Sequence, residues 1–370
     1  MEPEREALLR ATRAGVADTS CHMPPGIDWT RLIRDAADNA VTPLVHRALR
    51  DHPAIPPEAK AELAEASLAN TAWALRLGSQ LLATLDVLAA QGITALAYKG
   101  PALAVMAYGQ PDLRCFSDLD ILVRREDIAR AQSTLEAAGF RCPLTAADQD
   151  YFLRERYHLH FTGGSPPVDL ELHWAITPAY WNFPLDSTRL WKQPHQVTLF
   201  GTRLPTLDPE LTLLAICAHG AKERWPRLGS VCDLAAMIGR YRLDWDWIGR
   251  ETARLHRERL VGVGLLLAAN LFESPIPPDL LRRTQQDPEA VSLAAEIEEH
   301  ILSGDLPRGW RFHRYAWRMW NHAADRRGYA RYAAAGLPAK LRDLCQASPF
   351  RALWRYRNPL RILRRIGDNL

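Results

Sequence analysis

The chain has 370 residues, of which 47% are hydrophobic, so it can bury a substantial core and form two or three compact units. Its six cysteines are scattered and form no C-x-x-C pair, which argues against a disulfide framework or a structural zinc site. No apolar run reaches the roughly 18 residues of a membrane span, and the charged N-terminus does not resemble a signal peptide, so we expect a soluble, cytoplasmic protein.

The charge is distributed unevenly along the chain. Residues 306–370 contain 15 Lys and Arg against 3 Asp, which gives this segment a charge of +12. Because the whole chain carries only +3, the first 305 residues carry −9. Such a basic segment, rich in Arg and Trp, is typical of a contact with nucleic acid or another anionic surface, of a tail that docks on an acidic body, or of a solvated helix face.

Helical patterns fill residues 1–90, which we predict to be an N-terminal helical region. Residues 28–52 have helical apolar spacing with a break near Pro43, and residues 67–92 form a long amphipathic pattern that Gly92 would end.

The pattern changes after Gly92 and predicts an α/β core over residues 91–205. A short apolar strand at 93–98 ends at Lys99-Gly100-Pro101, where a helix begins with Pro at its first position. The other elements predicted in this core are a strand at 117–123, a helix at 125–140, strands at 157–161 and 167–176, and a candidate strand at 196–204.

Residues 206–305 return to helical patterns and are predicted to form a helical domain that closes a cleft over the core. The helices are expected at 208–225, 227–240 and within 244–272. The basic segment 306–370 is predicted to be a separate C-terminal unit.

Two carboxylates at the start of a strand suggest a metal site. Asp118 and Asp120 lie two residues apart in "RCFSDLDILV", so they share one face of the strand and repel each other. A Mg²⁺ ion would neutralise them, because it prefers carboxylate oxygens and substrate phosphates.

A third carboxylate would complete a site for two metal ions. The later strand "VDLELHW" places Asp169, Glu171 and His173 on one face, so either acid can reach the pair if the two strands are neighbours. For His173, a direct role and simple packing at a strand end both remain open.

A phosphate contact is predicted upstream of the carboxylates. Lys99-Gly100 lies where a strand turns into a helix, and glycine together with a helix N-terminus and a lysine favours phosphate. Arg114, four residues before Asp118, is a second candidate for the same phosphates.

These motifs together resemble the DNA polymerase β-like nucleotidyltransferase superfamily, in particular its uncharacterised bacterial branch. The resemblance is carried by "YKGPALAVMAYGQPDLRCFSDLDILV" and "DLELHW", and it extends to the N-terminal helices and to "LLAICAHGAKERWPRLGSVCDLAAMI". It implies an α+β fold, in which a small mixed sheet with helices is flanked by N- and C-terminal helical regions. Lys99-Gly100 stands where the wider superfamily has Gly-Ser.

The resemblance also implies roles for single residues. Asp118 and Asp120 would be metal ligands, and Glu171 matches the third carboxylate better than Asp169, which stays an alternative. Either of these two acids would assist deprotonation of the acceptor.

His219, Lys222 and Arg227 are candidates to line the nucleotide cleft, because they lie on or beside one helix; a hydrated helix surface is the alternative. Asp233 is expected to be a structural partner of one of these three basic residues.

The expected activity is a Mg²⁺-dependent (alternatively Mn²⁺-dependent) transfer of an NMP group from an NTP, with ATP the expected nucleotide. The acceptor would be a small molecule, a peptide or a protein. Two other functions stay open: an enzyme that extends RNA ends with its basic segment, and a catalytically inactive nucleotide-binding scaffold.

Overall fold

The N-terminal region is a set of helices, as predicted. In this computed structural model the described residues are 3–144, 153, 156–164, 167–303 and 310–332. The first helices are α1 (Pro3–Ala17), α2 (Trp29–Asp38), α3 (Thr42–Leu49) and α4 (Pro57–Ala90). The Asp28 side chain accepts the Arg31 N–H and starts α2, and Ala40, with φ +56°, separates α2 from α3 just before the predicted break at Pro43. Gly92, with φ +67°, ends α4 as expected.

A four-stranded mixed sheet forms the centre of the predicted core. Its strands are β1 (Ala95–Ala97), β2 (Asp118–Val123), β3 (His158–Gly163) and β4 (Val168–His173). The helix α5 (Gly100–Tyr108) lies between β1 and β2 in the chain, and α6 (Ile128–Ala137) lies between β2 and β3. The strand order is β1-β2-β4-β3. The central pair, β2 and β4, is parallel, and the two outer pairs are antiparallel. The α+β architecture with a small mixed sheet is therefore confirmed.

The register of β2 and β4 determines which side chains share a face. Asp118 lies opposite Asp169, and Asp120 lies opposite Glu171. The intervening leucines Leu119 and Leu170 are fully buried on the other face of the sheet. One face of this strand pair is consequently acidic, while the other anchors the pair in the core.

The second half of the chain is helical apart from one hairpin. Its elements are α7 (Ser187–Lys192), β5 (His195–Leu199), β6 (Thr202–Thr206), α8 (Pro209–Glu223), α9 (Leu228–Arg240), α10 (Trp245–Arg254), α11 (Glu258–Phe272), α12 (Pro278–Gln285), α13 (Pro288–Ser303) and α14 (Trp310–Met319). The helical run predicted at 244–272 is interrupted at His256, whose φ is +55°. This break places the Arg257 guanidinium inside the protein, 2.7 Å from an Asp325 carboxylate oxygen.

Part of the basic C-terminal segment packs on the body of the protein. Arg318 on α14 forms ion pairs with Glu289 and Glu296 of α13, and Trp320 is almost completely buried. Residues 333–370, which carry much of the predicted basic charge, lie outside the described residues. The division of the chain into four regions stays a prediction.

Buried side chains from the N-terminal helices, the sheet and the C-terminal helices join in one hydrophobic cluster. Within the described part of the chain, no helix combines the length and the apolar character that crossing a membrane would require.

Candidate active site

The Asp118–Asp120 pair stands at the start of β2, on its acidic face. Asp120 is buried, whereas Asp118 at the strand end is partly exposed. Burial and the neighbouring charge of Asp120 raise the pKa of Asp118 from 3.8 to about 6. The charges of Lys99 and Arg114 oppose this rise in the pKa of Asp118 without cancelling it.

Two neighbours neutralise Asp120. Its Oδ1 atom lies 2.8 Å from Lys99 Nζ and 3.1 Å from His173 Nε2. Burial alone would raise the pKa of Asp120, but the Lys99 ammonium and the His173 hydrogen bond outweigh burial and hold this pKa far below its ordinary value. Asp120 is thus ionised and held in a fixed position.

Glu171 lies beside Asp120 in space. Its Oε2 atom is 3.0 Å from the same His173 Nε2 that contacts Asp120, so the two carboxylate oxygens are at most about 6 Å apart, within the reach of a two-metal site. Burial opposes ionisation of Glu171, but the hydrogen bond from His173 lowers its pKa below the ordinary value.

Asp169, the alternative third carboxylate, faces β3 instead. Its side chain is about half exposed, accepts a hydrogen bond from Thr162 Oγ1, and lies 3.3 Å from His160 Nε2.

The Lys99-Gly100 turn touches the start of β2 directly. Gly100 has φ +52°, and a Cβ atom at this position would lie 3.2 Å from the carbonyl oxygen of Asp118. Lys99 is the N-cap residue of α5, so the N-terminus of this helix opens next to the acidic face. The requirement for glycine here is both conformational and steric.

Arg114 is held by a buried carboxylate on α9. Asp233 accepts hydrogen bonds from Arg114 Nε at 2.8 Å and from the Tyr108 hydroxyl at 2.9 Å. The expectation that Asp233 partners His219, Lys222 or Arg227 was therefore wrong. The signal was misread because the pairing joins elements more than 100 residues apart in sequence.

The three basic residues of the second half lie at different places. His219 and Lys222 lie on α8, and burial, together with the charges of Lys99 and Lys222, lowers the pKa of His219 well below its usual value. Lys222 donates a hydrogen bond to the Tyr157 hydroxyl. Arg227 is exposed just before α9. Burial raises the pKa of Cys115, which follows Arg114, and the charge of Arg227 opposes this rise.

The family described as uncharacterised nucleotidyltransferase matches residues 25–273, which include both acidic strands and the Lys99-Gly100 turn. The chain belongs to this family. An antigenic nucleotidyltransferase-like protein from Paracoccidioides brasiliensis, known from a crystal structure, is similar at 15% identity; the match covers 56% of this chain and 96% of that chain, with a TM-score of 0.35. No curated protein matches the sequence.

In this member of the family, the sequence alone did not reveal how histidines connect the carboxylates. His173 is completely buried, and its Nε2 atom lies 3.1 Å from Asp120 and 3.0 Å from Glu171, so an Nε2–H group would donate to both carboxylates. Its Nδ1 atom lies 3.1 Å from the Tyr98 hydroxyl, and His158 pairs with it across β3 and β4. The histidines in "YHLHF" and "ELH" were the signal in the sequence for this arrangement. Only the register of β3 and β4 shows that His158, and not His160, lies opposite His173.

Proposed function

We propose that the protein is a Mg²⁺-dependent nucleotidyltransferase, with Mn²⁺ as the alternative metal. It transfers an NMP group from an NTP, with ATP the expected nucleotide, to a small molecule, a peptide or a protein, and releases pyrophosphate. The observation that carries the proposal is the convergence of three carboxylates, from Asp118, Asp120 and Glu171, on one sheet face beside a basic helix N-terminus.

The donor set fits magnesium. Asp118 and Asp120 offer carboxylate oxygens from adjacent positions on one face, and Glu171 adds another from the neighbouring strand. The raised pKa of Asp118 is what a carboxylate shows when burial and a like charge act without a sufficient counter-charge. When bound, the metal ions would neutralise the triphosphate and activate the attacking oxygen.

Basic groups around the carboxylates would position the triphosphate. Lys99 contacts Asp120 in the site, and at the start of α5, where Pro101 has no N–H, the backbone N–H groups of Gly100 and Ala102 would be the available donors. Because Asp233 contacts Arg114 through Nε, the terminal Nη groups of Arg114 can donate to a phosphate oxygen. His219 and Lys222 on α8 would contribute from the second half of the chain.

Acceptor activation would fall to a carboxylate. Glu171 is held by His173 next to the pair, whereas Asp169 is more exposed and lies beside His160 and Thr162. Either can take the acceptor proton, while most of the rate enhancement comes from positioning and charge neutralisation.

The test measures pyrophosphate release and label transfer with each α-labelled NTP in the presence of Mg²⁺. Because the acceptor is unidentified, a second readout is the rise in melting temperature caused by NTP with Mg²⁺. We expect the wild type to be stabilised by at least one NTP, and the double variant Asp118→Asn, Asp120→Asn to lose this effect. Asp86→Asn, which removes an exposed carboxylate on α4, is the matched control and should retain it.

The outcomes separate the three functions. An inactive scaffold binds NTP without turnover under any condition, and an RNA-end enzyme shows label on RNA together with binding that falls steeply with salt. No NTP-dependent stabilisation and no pyrophosphate release would refute the proposed function.

A further inference from the structure

A second group of possible ligands lies next to the three carboxylates. His158, Glu171 and His173 each offer one ligand atom, and these atoms all lie within 4.8 Å of one another. The sheet brings them together, because His158 and His173 are a cross-strand pair of β3 and β4 and Glu171 precedes His173 by two residues on the same face.

The spacing of the three groups suits a tetrahedral metal ion. Glu171 Oε2 lies 3.0 Å from His173 Nε2, and Glu171 Oε1 lies 3.6 Å from His158 Nε2. Ligand atoms bound at about 2.0–2.2 Å in a tetrahedral site are separated by roughly 3.3–3.5 Å. One of the two measured distances is shorter than this spacing and the other longer, and they involve different oxygens of Glu171. Small side-chain rotations would complete the site.

The surroundings of the two imidazoles also suit metal binding. His173 is fully buried with Nδ1 at 3.1 Å from the Tyr98 hydroxyl, so the hydroxyl oxygen can accept a hydrogen bond from Nδ1–H when Nε2 binds a metal. The Nδ1 atom of His158 is buried and has no hydrogen-bond partner among the described residues. Its imidazole is therefore not committed to a strong hydrogen bond with the protein.

We propose that His158, Glu171 and His173 bind one transition-metal ion, with Zn²⁺ the expected ion. Two imidazoles and one carboxylate are the ligands of an open zinc site, whereas Mg²⁺ prefers oxygen ligands alone. This site shares Glu171 with the proposed Mg²⁺ site, and it removes the His173 hydrogen bond from Asp120. Zinc bound here would accordingly compete with magnesium, although zinc binding itself does not depend on the chain being a nucleotidyltransferase.

The first test is a zinc titration of the metal-stripped full-length chain against a chromogenic chelator. We expect the wild type to bind one equivalent of Zn²⁺. His158→Ala should weaken binding by about 100-fold or more, because loss of a direct ligand exceeds the 10–100-fold effect of losing an outer-shell partner. Tyr98→Phe should weaken it by about 10-fold.

His160→Ala is the matched control, because His160 lies two residues further along β3 and is more exposed than His158. It should retain the wild-type zinc affinity. Unchanged affinity in His158→Ala, or an equal loss in His160→Ala, would overturn the proposed ligand set. Circular dichroism of each variant establishes that it is folded.

A second measurement needs no variant. Co²⁺ added to the metal-stripped wild type should give the intense visible bands of a four-coordinate ion without a thiolate charge-transfer band. Weak six-coordinate bands would indicate an all-oxygen site, and a thiolate band would indicate a cysteine ligand. Either result would refute the inference.

Discussion

Replacement of Asp118 by asparagine is expected to stabilise the metal-free protein while removing a proposed metal ligand. In the folded chain the Asp118 carboxylate is partly buried and stands next to ionised Asp120. Asparagine has nearly the same shape and no charge, so the substitution removes this repulsion and leaves the strand intact. A gain in stability from removing an acid would indicate a carboxylate placed for binding and not for folding.

The size of the effect follows from the shift in pKa. The pKa of Asp118 rises from 3.8 to about 6 on folding, and one pKa unit corresponds to about 1.36 kcal/mol, which sets an upper limit of about 3 kcal/mol at pH 8. Between the two pKa values the folded protein retains a proton that the unfolded chain has released, so wild-type stability falls as pH rises. At pH 4 the carboxyl group is protonated in the folded state, and the contribution shrinks to less than about 1 kcal/mol.

The assay is urea unfolding of wild type and Asp118→Asn in EDTA, at pH 8 and at pH 4, and again at pH 8 with Mg²⁺. We expect the variant to be more stable at pH 8 in EDTA, and Mg²⁺ to stabilise only the wild type. Asp86→Asn removes the same charge from an exposed position and should change the unfolding free energy by less than about 0.5 kcal/mol. An Asp118→Asn variant that is no more stable than the wild type at pH 8 would refute the electrostatic reasoning.

Three further substitutions test the supports of the site and of the C-terminal segment. Asp233→Ala leaves the buried Arg114 without its carboxylate and should lower the unfolding free energy by about 3–5 kcal/mol in urea; a loss below about 1 kcal/mol would contradict a buried pair. Gly100→Ala introduces a Cβ atom 3.2 Å from the Asp118 carbonyl oxygen, at a residue whose φ is +52°. It should lower the free energy of unfolding by about 1–2 kcal/mol, measured by thermal unfolding, and an unchanged melting temperature would contradict the strained turn. Asp325→Ala removes the partner of the buried guanidinium before α11 and should speed proteolysis of the C-terminal segment; wild-type cleavage rates would show that this pair does not hold the segment.

The sequence predicted the helical regions, the four strands of the sheet and the order of the acidic motifs, because each depends on local periodicity and turn residues. It also placed Asp120 and Glu171 on faces that would meet if their strands were neighbours, and the parallel register of β2 and β4 supplies that condition. It failed for the pairing of Asp233 with Arg114 and for the contacts of His173. Those contacts depend on tertiary packing between distant segments, which a single sequence does not encode in any local pattern.

The contacts of Asp120 suggest how one site can remain folded without its ligands. A buried carboxylate must be paired, and for Asp120 the Lys99 ammonium supplies the positive charge and His173 the hydrogen bond. Under the proposed function, a metal ion would take over the neutralisation of Asp120, and Lys99 would then be free to contact the triphosphate. Under the proposed function the same exchange would make metal and nucleotide binding cooperative, because the metal would release Lys99 for the nucleotide and the nucleotide would release Asp120 for the metal. A Lys99→Met variant should therefore lose more nucleotide affinity with Mg²⁺ present than without it, and equal losses under both conditions would argue against this exchange.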